Sequence, residues 1–491
     1  MGKKTHLILL GFIFLVGIWF RTSGTLQGNF AFTYDQGRDF LVLKDLVSSH
    51  KLSLIGPTTG IDGVFHGVWW YWLTAPLFLF TSGNVQNAIL LFNIISATPI
   101  ILAFWLGKQI KNETLGLLLA GLVAAIPYFI STSAQFWNPN VLPGLVLLFY
   151  LLLSLKISQI GKAFGVGLVL GAIFEFAVGS GALVIIAVIL GFGILKTKVN
   201  LRQAVFAAGG FTFWLMPRLI FEARHDFIQL NSFIKYITAE NSTYSIQLVP
   251  NIISRLHTFW SMFKNSYGMN SWLLGWALVG LILFYFIIRI RQLKWSKIPY
   301  VVYLSMILPL IMMFEAVLYP GILWDYYLIA WPTLLLPFMG WLMWDLIHVN
   351  KFLGGALLLT IAIIGFWPGK FLIKDWAGDA SVYKNQIQVV ERIYTDAAGQ
   401  KYNLEVFSPS VIDYNYQYLF AWFGNSRFGY LPERKQVLPL VYYIIEPDAW
   451  NKGLREKWIK DRLHDGQVSW EDELRSGIVV QKRMRNLKPA E

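Results

Sequence analysis

Cysteine is absent from the 491 residues, which excludes disulfides, thiolate nucleophiles and cysteine-ligated metals. Charge is scarce: 14% of the residues are Asp, Glu, Lys or Arg, where a soluble protein carries roughly 25%. The shortage is uneven, because twelve of the 28 acidic residues precede residue 370 and sixteen follow it. The distribution predicts a bilayer-solvated body over 1–369 and an outer domain of ordinary soluble composition over 370–491. A net charge of +13 would suit a nucleic-acid partner, but most Lys and Arg of the body sit in short breaks between apolar runs, as topology determinants do. No nucleic acid is expected as a partner. The start, MGKKTHLILLGFIFLVGIWF, lacks a small-residue cleavage site and leads into further apolar segments, so it reads as a retained first span.

What is abundant is apolar: 56% hydrophobic and 16% aromatic residues. A helix needs roughly 20 apolar residues to cross a bilayer, and about eleven segments qualify: 5–22, 85–107, 114–133, 140–156, 163–179, 181–196, 203–220, 271–289, 298–318, 326–345 and 351–368. A twelfth, 67–83, is short, rich in Trp and Tyr, and broken by Pro76. With the amino end cytoplasmic and 67–83 not spanning, the inner breaks carry 14 Lys or Arg in 45 residues. The outer breaks 134–140, 178–182 and 319–325 then carry none. Letting 67–83 span would reverse that, so the segment is expected at the outer interface. Two long outer loops follow, 23–84 and 221–270, with the carboxyl-terminal domain on the same, extracytoplasmic side of the plasma (inner) membrane.

The first outer loop contains FAFTYDQGRDFLVLKDL and GVFHGVWWYWLTAPL. Asp35, Arg38, Asp39 and Asp45 share one helical face and Phe40, Leu43 and Val47 the other, which predicts an amphipathic helix lying on the membrane surface. Asp35 has two readings: a general base for a hydroxyl acceptor, ionised at neutral pH as an ordinary Asp is, or a helix cap. His66 is either a phosphate contact at headgroup depth or a solvated interfacial histidine.

In MPRLIFEARHDF, Arg218, Glu222, Arg224, His225 and Asp226 gather at the outer end of a span. An Arg218–Glu222 pair at i,i+4 and a phosphate site account for them about equally well. Glu175 and Glu315, near outer span ends, are candidate buried partners for these arginines. Asn138 and Asn140 stand in a turn-forming NPN, and Asp325, Tyr326 and Tyr327 start another span from outside.

These motifs together resemble the GT-C superfamily of polyprenyl-phosphate-sugar-dependent glycosyltransferases, nearest the protein O-mannosyltransferase and lipid A aminoarabinose transferase type. That type carries an Asp-Glu-x-Arg after the first span and then Lys-Pro-Pro-x-x-Tyr-Trp-Leu. Asp35-Gln36-Gly37-Arg38 takes the first role here and His66 to Leu73, with Tyr71 inside it, the second. The resemblance implies an all-α membrane bundle, a polyprenyl-phosphate sugar as donor, Asp35 as base, and His66 in place of the phosphate-contacting Lys. It also implies that FEARHDF and WDYYLIAWP lie close to the carrier phosphate. Two departures stand out: Gln36 replaces the usual Glu, and Asn138 and Asn140 occupy the place of a further acid. With fewer carboxylates, no metal or other cofactor is expected.

The implied reaction passes a sugar from the lipid carrier to a hydroxyl of an unnamed glycan, lipid or protein acceptor, with inversion. The rival readings are a non-catalytic binder of lipid-linked sugar and a transporter or flippase, which would want polar groups at mid-membrane depth. After residue 370, SVYKNQIQVVERIYTDA reads as helix and YNLEVFSP, VLPLVYYIIEP and SGIVVQKR as strands, a small α/β unit. Tyr414, Tyr416, Tyr418 and Trp422 suit its core or a membrane-facing edge equally.

Overall fold

The structure, a computed structural model, describes residues 3–238, 248–291, 298–319, 323–349, 355, 376–448 and 451–486. The helices of the apolar stretch are α1 (Lys3–Leu26), α2 (Tyr34–Ser49), α3 (Trp69–Phe80), α4 (Val85–Ile95), α5 (Thr98–Ile110), α6 (Glu113–Ala125), α7 (Pro127–Ser133) and α8 (Leu142–Ser154). They continue with α9 (Gln159–Phe176), α10 (Val178–Ile194), α11 (Leu201–Arg224), α12 (Ile228–Thr238), α13 (Leu248–Asn265), α14 (Trp272–Arg291), α15 (Tyr300–Leu318) and α16 (Trp331–Val349). The remainder forms α17 (Tyr383–Ala397), β1 (Asn403–Phe407), α18 (Tyr414–Phe423), β2 (Leu440–Ile445), α19 (Lys452–Lys460), β3 (Gln467–Glu473) and β4 (Val479–Met484).

Among the described residues, six helical stretches are long and apolar enough to cross a membrane: Lys4–Leu26, Val85–Ile110, Gln159–Phe176, Leu201–Arg224, Tyr300–Leu318 and Asp325–His348. The bent pair α6–α7 makes a seventh, and Asn138–Ser154, Val178–Ile194 and Trp272–Ile287 are shorter apolar helices. The first ten expected spans coincide with these; the eleventh, 351–368, lies outside the described residues. The chain is a multi-pass, all-α membrane protein with a small α/β addition. The 12 residues of α3 reach about 18 Å at 1.5 Å per residue, short of the roughly 30 Å hydrocarbon core.

The chain divides into two compact units. The first comprises Met1–Thr22, Leu52–Leu73 and Phe92–Leu372. Small residues let its helices close on one another. A Cβ on Gly171 of α9 would stand 2.7 Å from the Phe211 carbonyl of α11, and one on Gly107 of α5 2.6 Å from Gly116 Cα of α6. The 64° bend between α6 and α7 falls at Pro127, which has no N–H to offer the Val123 carbonyl one turn back. Arg21 donates to that carbonyl instead at 2.9 Å, and to Phe129 O at 3.3 Å, so a buried guanidinium repairs the break in the ladder.

The second unit comprises Ser23–Lys51, Thr74–Leu91 and Ile373–Glu491. Its sheet has the order β1-β2-β4-β3, with β1 and β2 parallel and the other pairs antiparallel. Every residue of the central β2 is buried, as a strand covered on both faces requires. Phe407, Val441, Tyr443, Ile445 and Val479 pack with Trp458 and Ile459 of α19. Tyr442 meets Tyr402 edge-on, and Tyr394 of α17 does the same. The aromatic run of α18 is core: Tyr416 and Tyr418 are wholly buried, and the Tyr418 hydroxyl donates to Gly83 O at 2.6 Å.

Glu446 follows β2 and is buried, with Oε2 accepting from Ser408 Oγ at 2.9 Å. Burial, with Asp413 and Asp379 adding to it, pushes this carboxyl up from 4.5 to about 7. The folded unit therefore holds the Glu446 proton more tightly than the unfolded chain does. That stabilisation is complete below the unfolded value and is lost as pH rises through the folded one, a swing on the order of 3 kcal/mol. Amide exchange in β2, corrected for intrinsic rates, should accelerate between about pH 5 and pH 8. Glu446→Gln should flatten that dependence, and an unchanged slope in the variant would contradict it.

Candidate functional site

In the second unit, Thr33 precedes α2 and Gln36 stands three positions later; Thr33 N donates to Gln36 Oε1 at 2.9 Å. This capping box accepts Glu or Gln alike, so the glutamine at this place performs the carboxylate's local task. Asp35 is thus not the cap. Its carboxylate is 3.0 Å from Arg38 Nη1, while Arg38 Nη2 and Nε reach Asp39 Oδ1 at 2.8 and 3.0 Å. The Asp39 side chain is fully buried, whereas that of Asp35 retains 35% exposure. The guanidinium is neutralised from inside by Asp39 and presents Asp35 at the open end of the helix.

The face of α2 carrying these charges is not turned to water on a membrane surface, as amphipathic spacing predicts. Arg38, Asp39, Phe40 and Leu43 are all buried, and Phe40 lies 5.1 Å ring to ring from Tyr418 of α18. Gly37 permits this: a Cβ there would stand 2.5 Å from Asn415 Cα, and backbone cannot yield as a side chain can. Gly37→Ala should therefore destabilise the protein by roughly 1–3 kcal/mol through overpacking, read as a lower melting temperature. A melting temperature equal to wild type would show that α2 does not need this close approach.

In the first unit, the corner between α9 and α10 gathers several of the residues singled out above. Gly67 N donates to Glu175 O at 2.7 Å, and Asn138 Nδ2 donates to Phe176 O at 2.5 Å. Val178 N donates to His66 Nδ1 at 3.3 Å, which makes His66 a neutral ring protonated at Nε2. Ser180 Oγ lies 2.9 and 2.8 Å from the carbonyls of Tyr326 and Tyr327. The Tyr326 ring meets Trp137 and Tyr327 edge-on at 5.3 and 4.7 Å.

Arg218 joins this corner through Glu175, not Glu222. Its Nε donates to Glu175 Oε1 at 2.7 Å, and its Nη1 to Phe65 O at 2.9 Å and to Gln229 Oε1 at 2.8 Å. Among the described residues, three buried polar atoms of this cluster, Arg218 Nη2, Gln229 Nε2 and Glu175 Oε2, have no hydrogen-bond partner. Glu222 accepts from Gln229 N and Leu230 N at 3.2 and 3.1 Å and so caps the first turn of α12. Gly67 has no room for a Cβ because the Glu175 carboxylate passes against it.

Arg224 and His225 are exposed at the end of α11, with the His225 ring stacked on Phe221 at 4.1 Å. Asp325 is exposed at the start of a short 3-10 turn, and Tyr71 is buried. Among the described residues no group of three or more His, Asp or Glu side chains is placed to hold a metal ion.

No family model and no curated protein matches the sequence. Solved structures match it in fold. ArnT from Cupriavidus metallidurans bound to undecaprenyl phosphate superposes with a TM-score of 0.57 over 100% of both chains, at 11% identity. The chain has the GT-C fold. The apo state of ArnT gives 0.47 at 12% identity over 100% of both chains. AglB from Archaeoglobus fulgidus, in complex with an inhibitory peptide and a dolichol-phosphate, gives 0.47 at 12%, covering 99% of this chain and 75% of that one. Within this fold, the groups that sequence reasoning did not reach are Gln229 and Ser180. Neither residue type carries a signal until its partner, Phe65 and Arg218 for one and the 326–327 carbonyls for the other, is brought to it by folding.

Proposed function

We propose that the protein is a glycosyltransferase that moves a sugar from a polyprenyl-phosphate carrier to an acceptor hydroxyl at the outer face of the plasma (inner) membrane. The observation that carries this is the full-length match in fold to ArnT, whose structure holds undecaprenyl phosphate. Asp35, a half-open carboxylate at the start of α2, supports the choice of base. The amino terminus is cytoplasmic in this reading and the carboxyl-terminal domain extracytoplasmic.

Asp35 takes the acceptor's proton as its oxygen forms a bond to the anomeric carbon, and the carbon–phosphate oxygen bond breaks. Charge builds on the departing phosphate, so hydrogen-bond donors aimed at it favour the transition state over the ground state. Arg218, with an N–H to spare, and the neutral His66 are assigned to that phosphate. One base and in-line displacement give inversion at the sugar. Arg224, exposed on its helix end, serves the approach of anionic headgroups in this reading.

The test is transfer from radiolabelled polyprenyl-phosphate sugars by membranes carrying wild type or Asp35→Asn at equal expression. Transfer by the first and not the second supports both activity and base. No transfer from any donor by either form would leave a binding or transport role.

A further inference from the structure

A cleft of about 790 Å³ opens in the second unit, walled by Thr33, Tyr34, Trp376, Asp379, Gln386, Asn415 and Glu446 among others. Its size falls within the roughly 300–1,000 Å³ of small-molecule sites. What it offers a ligand is one-sided. Gln386 and Asn415 are 1% and 3% exposed, yet among the described residues Gln386 Oε1 and Asn415 Oδ1 have no hydrogen-bond partner, whereas the buried Glu446 carboxyl is met by the hydroxyls of Ser408 and Tyr416. A buried acceptor left unpaired costs about 1–3 kcal/mol, and two in one wall call for an occupant that donates.

The hydroxyls of the same wall are already committed. Ser381 Oγ donates to Asp379 Oδ1 at 2.7 Å, Ser408 Oγ to Glu446 Oε2 at 2.9 Å, and Ser410 Oγ to Ile412 O at 3.1 Å. The Gln386 amide donates to Ala380 O at 3.1 Å. Among the described residues no Lys or Arg lines the cleft, and the Asp379 carboxylate does. Phosphorylated, sulfated or carboxylated ligands would therefore meet repulsion without a counter-charge. The Tyr34 and Trp376 rings add flat apolar surface of the kind sugar rings stack upon. A small ammonium ion would satisfy one or two acceptors and leave most of the volume to water.

We infer that this cleft binds a neutral, hydroxyl-rich glycan, and that this glycan is the acceptor of the proposed transfer. The acceptor role rests on that proposal; the binding does not. The cleft reaches Thr33 and Tyr34, the residues directly before Asp35, so a sugar in it lies at the turn that carries the base.

The full-length protein in detergent, applied to an array of neutral, amino and acidic oligosaccharides, reads the binding without any transfer step. Retention by neutral glycans is expected, with at least a tenfold loss in Asn415→Leu. Because a buried change can unfold the unit, Ser410→Trp, at an exposed position on the rim, is the second variant and should obstruct the cleft to a similar extent. Retention only by amino or acidic glycans, no retention, or wild-type retention by Ser410→Trp would each overturn the inference. Where transfer occurs but Ser410→Trp leaves the acceptor KM unchanged, the acceptor role falls while the transferase reading stands.

Discussion

Asp35→Asn is expected to lower the turnover of sugar transfer by about 10²–10⁴-fold, the usual worth of a positioned general base, while the melting temperature barely moves. Asn keeps the shape and one acceptor oxygen toward Arg38, so it removes little of the packing. Arg38 remains neutralised by the buried Asp39 through two contacts of 2.8 and 3.0 Å. The lost attraction is that of a pair exposed on one side, typically under about 1 kcal/mol. Donor affinity should also hold, because the phosphate is assigned to other groups. Asp39→Asn is the informative contrast. It strips the guanidinium of its interior partner and should lower the melting temperature well beyond Asp35→Asn. Should Asp35→Asn transfer sugar at the wild-type rate, its carboxylate serves only to orient Arg38, and the base must be sought elsewhere.

The same short helix shows which parts of the architecture were readable before folding and which were not. The spans follow from composition alone, since a bilayer demands long apolar runs and tolerates little else. The helix and strands of α17, β1, β2 and β4 likewise followed from periodicity. The edge strand β3, QVSWEDE, escaped because it is mostly exposed and acidic. The capping box Thr33-x-x-Gln36 was present as a motif, but Asp35, next to the cap and chemically more eloquent, drew the capping role to itself. The partner of Arg218 illustrates a deeper limit. Local spacing offered Glu222 four residues on, whereas the pair that forms joins positions 43 residues apart on α9 and α11. Gly37 is similar: its need for no side chain exists only where the backbone of α18 arrives.

The second large effect is expected at that distant pair, and it separates two roles for Arg218. Glu175 is 1% exposed and the Arg218 side chain 13%, so Glu175→Gln leaves a nearly buried guanidinium without its counter-charge, at about 3–5 kcal/mol of stability. If Arg218 is only a clamp holding the Phe65 carbonyl and Gln229, looser packing should weaken binding of polyprenyl phosphate in step with the fall in melting temperature. If Arg218 holds the phosphate, Glu175→Gln exposes a net positive charge and should tighten that binding by about tenfold or more despite the lost stability. The pair Glu175→Gln with Arg218→Gln completes the argument. Removing both charges should restore much of the melting temperature, because no ion is then stranded, yet binding should fall at least tenfold below wild type. A double variant that binds polyprenyl phosphate as well as wild type would reduce Arg218 to a structural group and shift the phosphate to His66 and its neighbours at the α9–α10 corner.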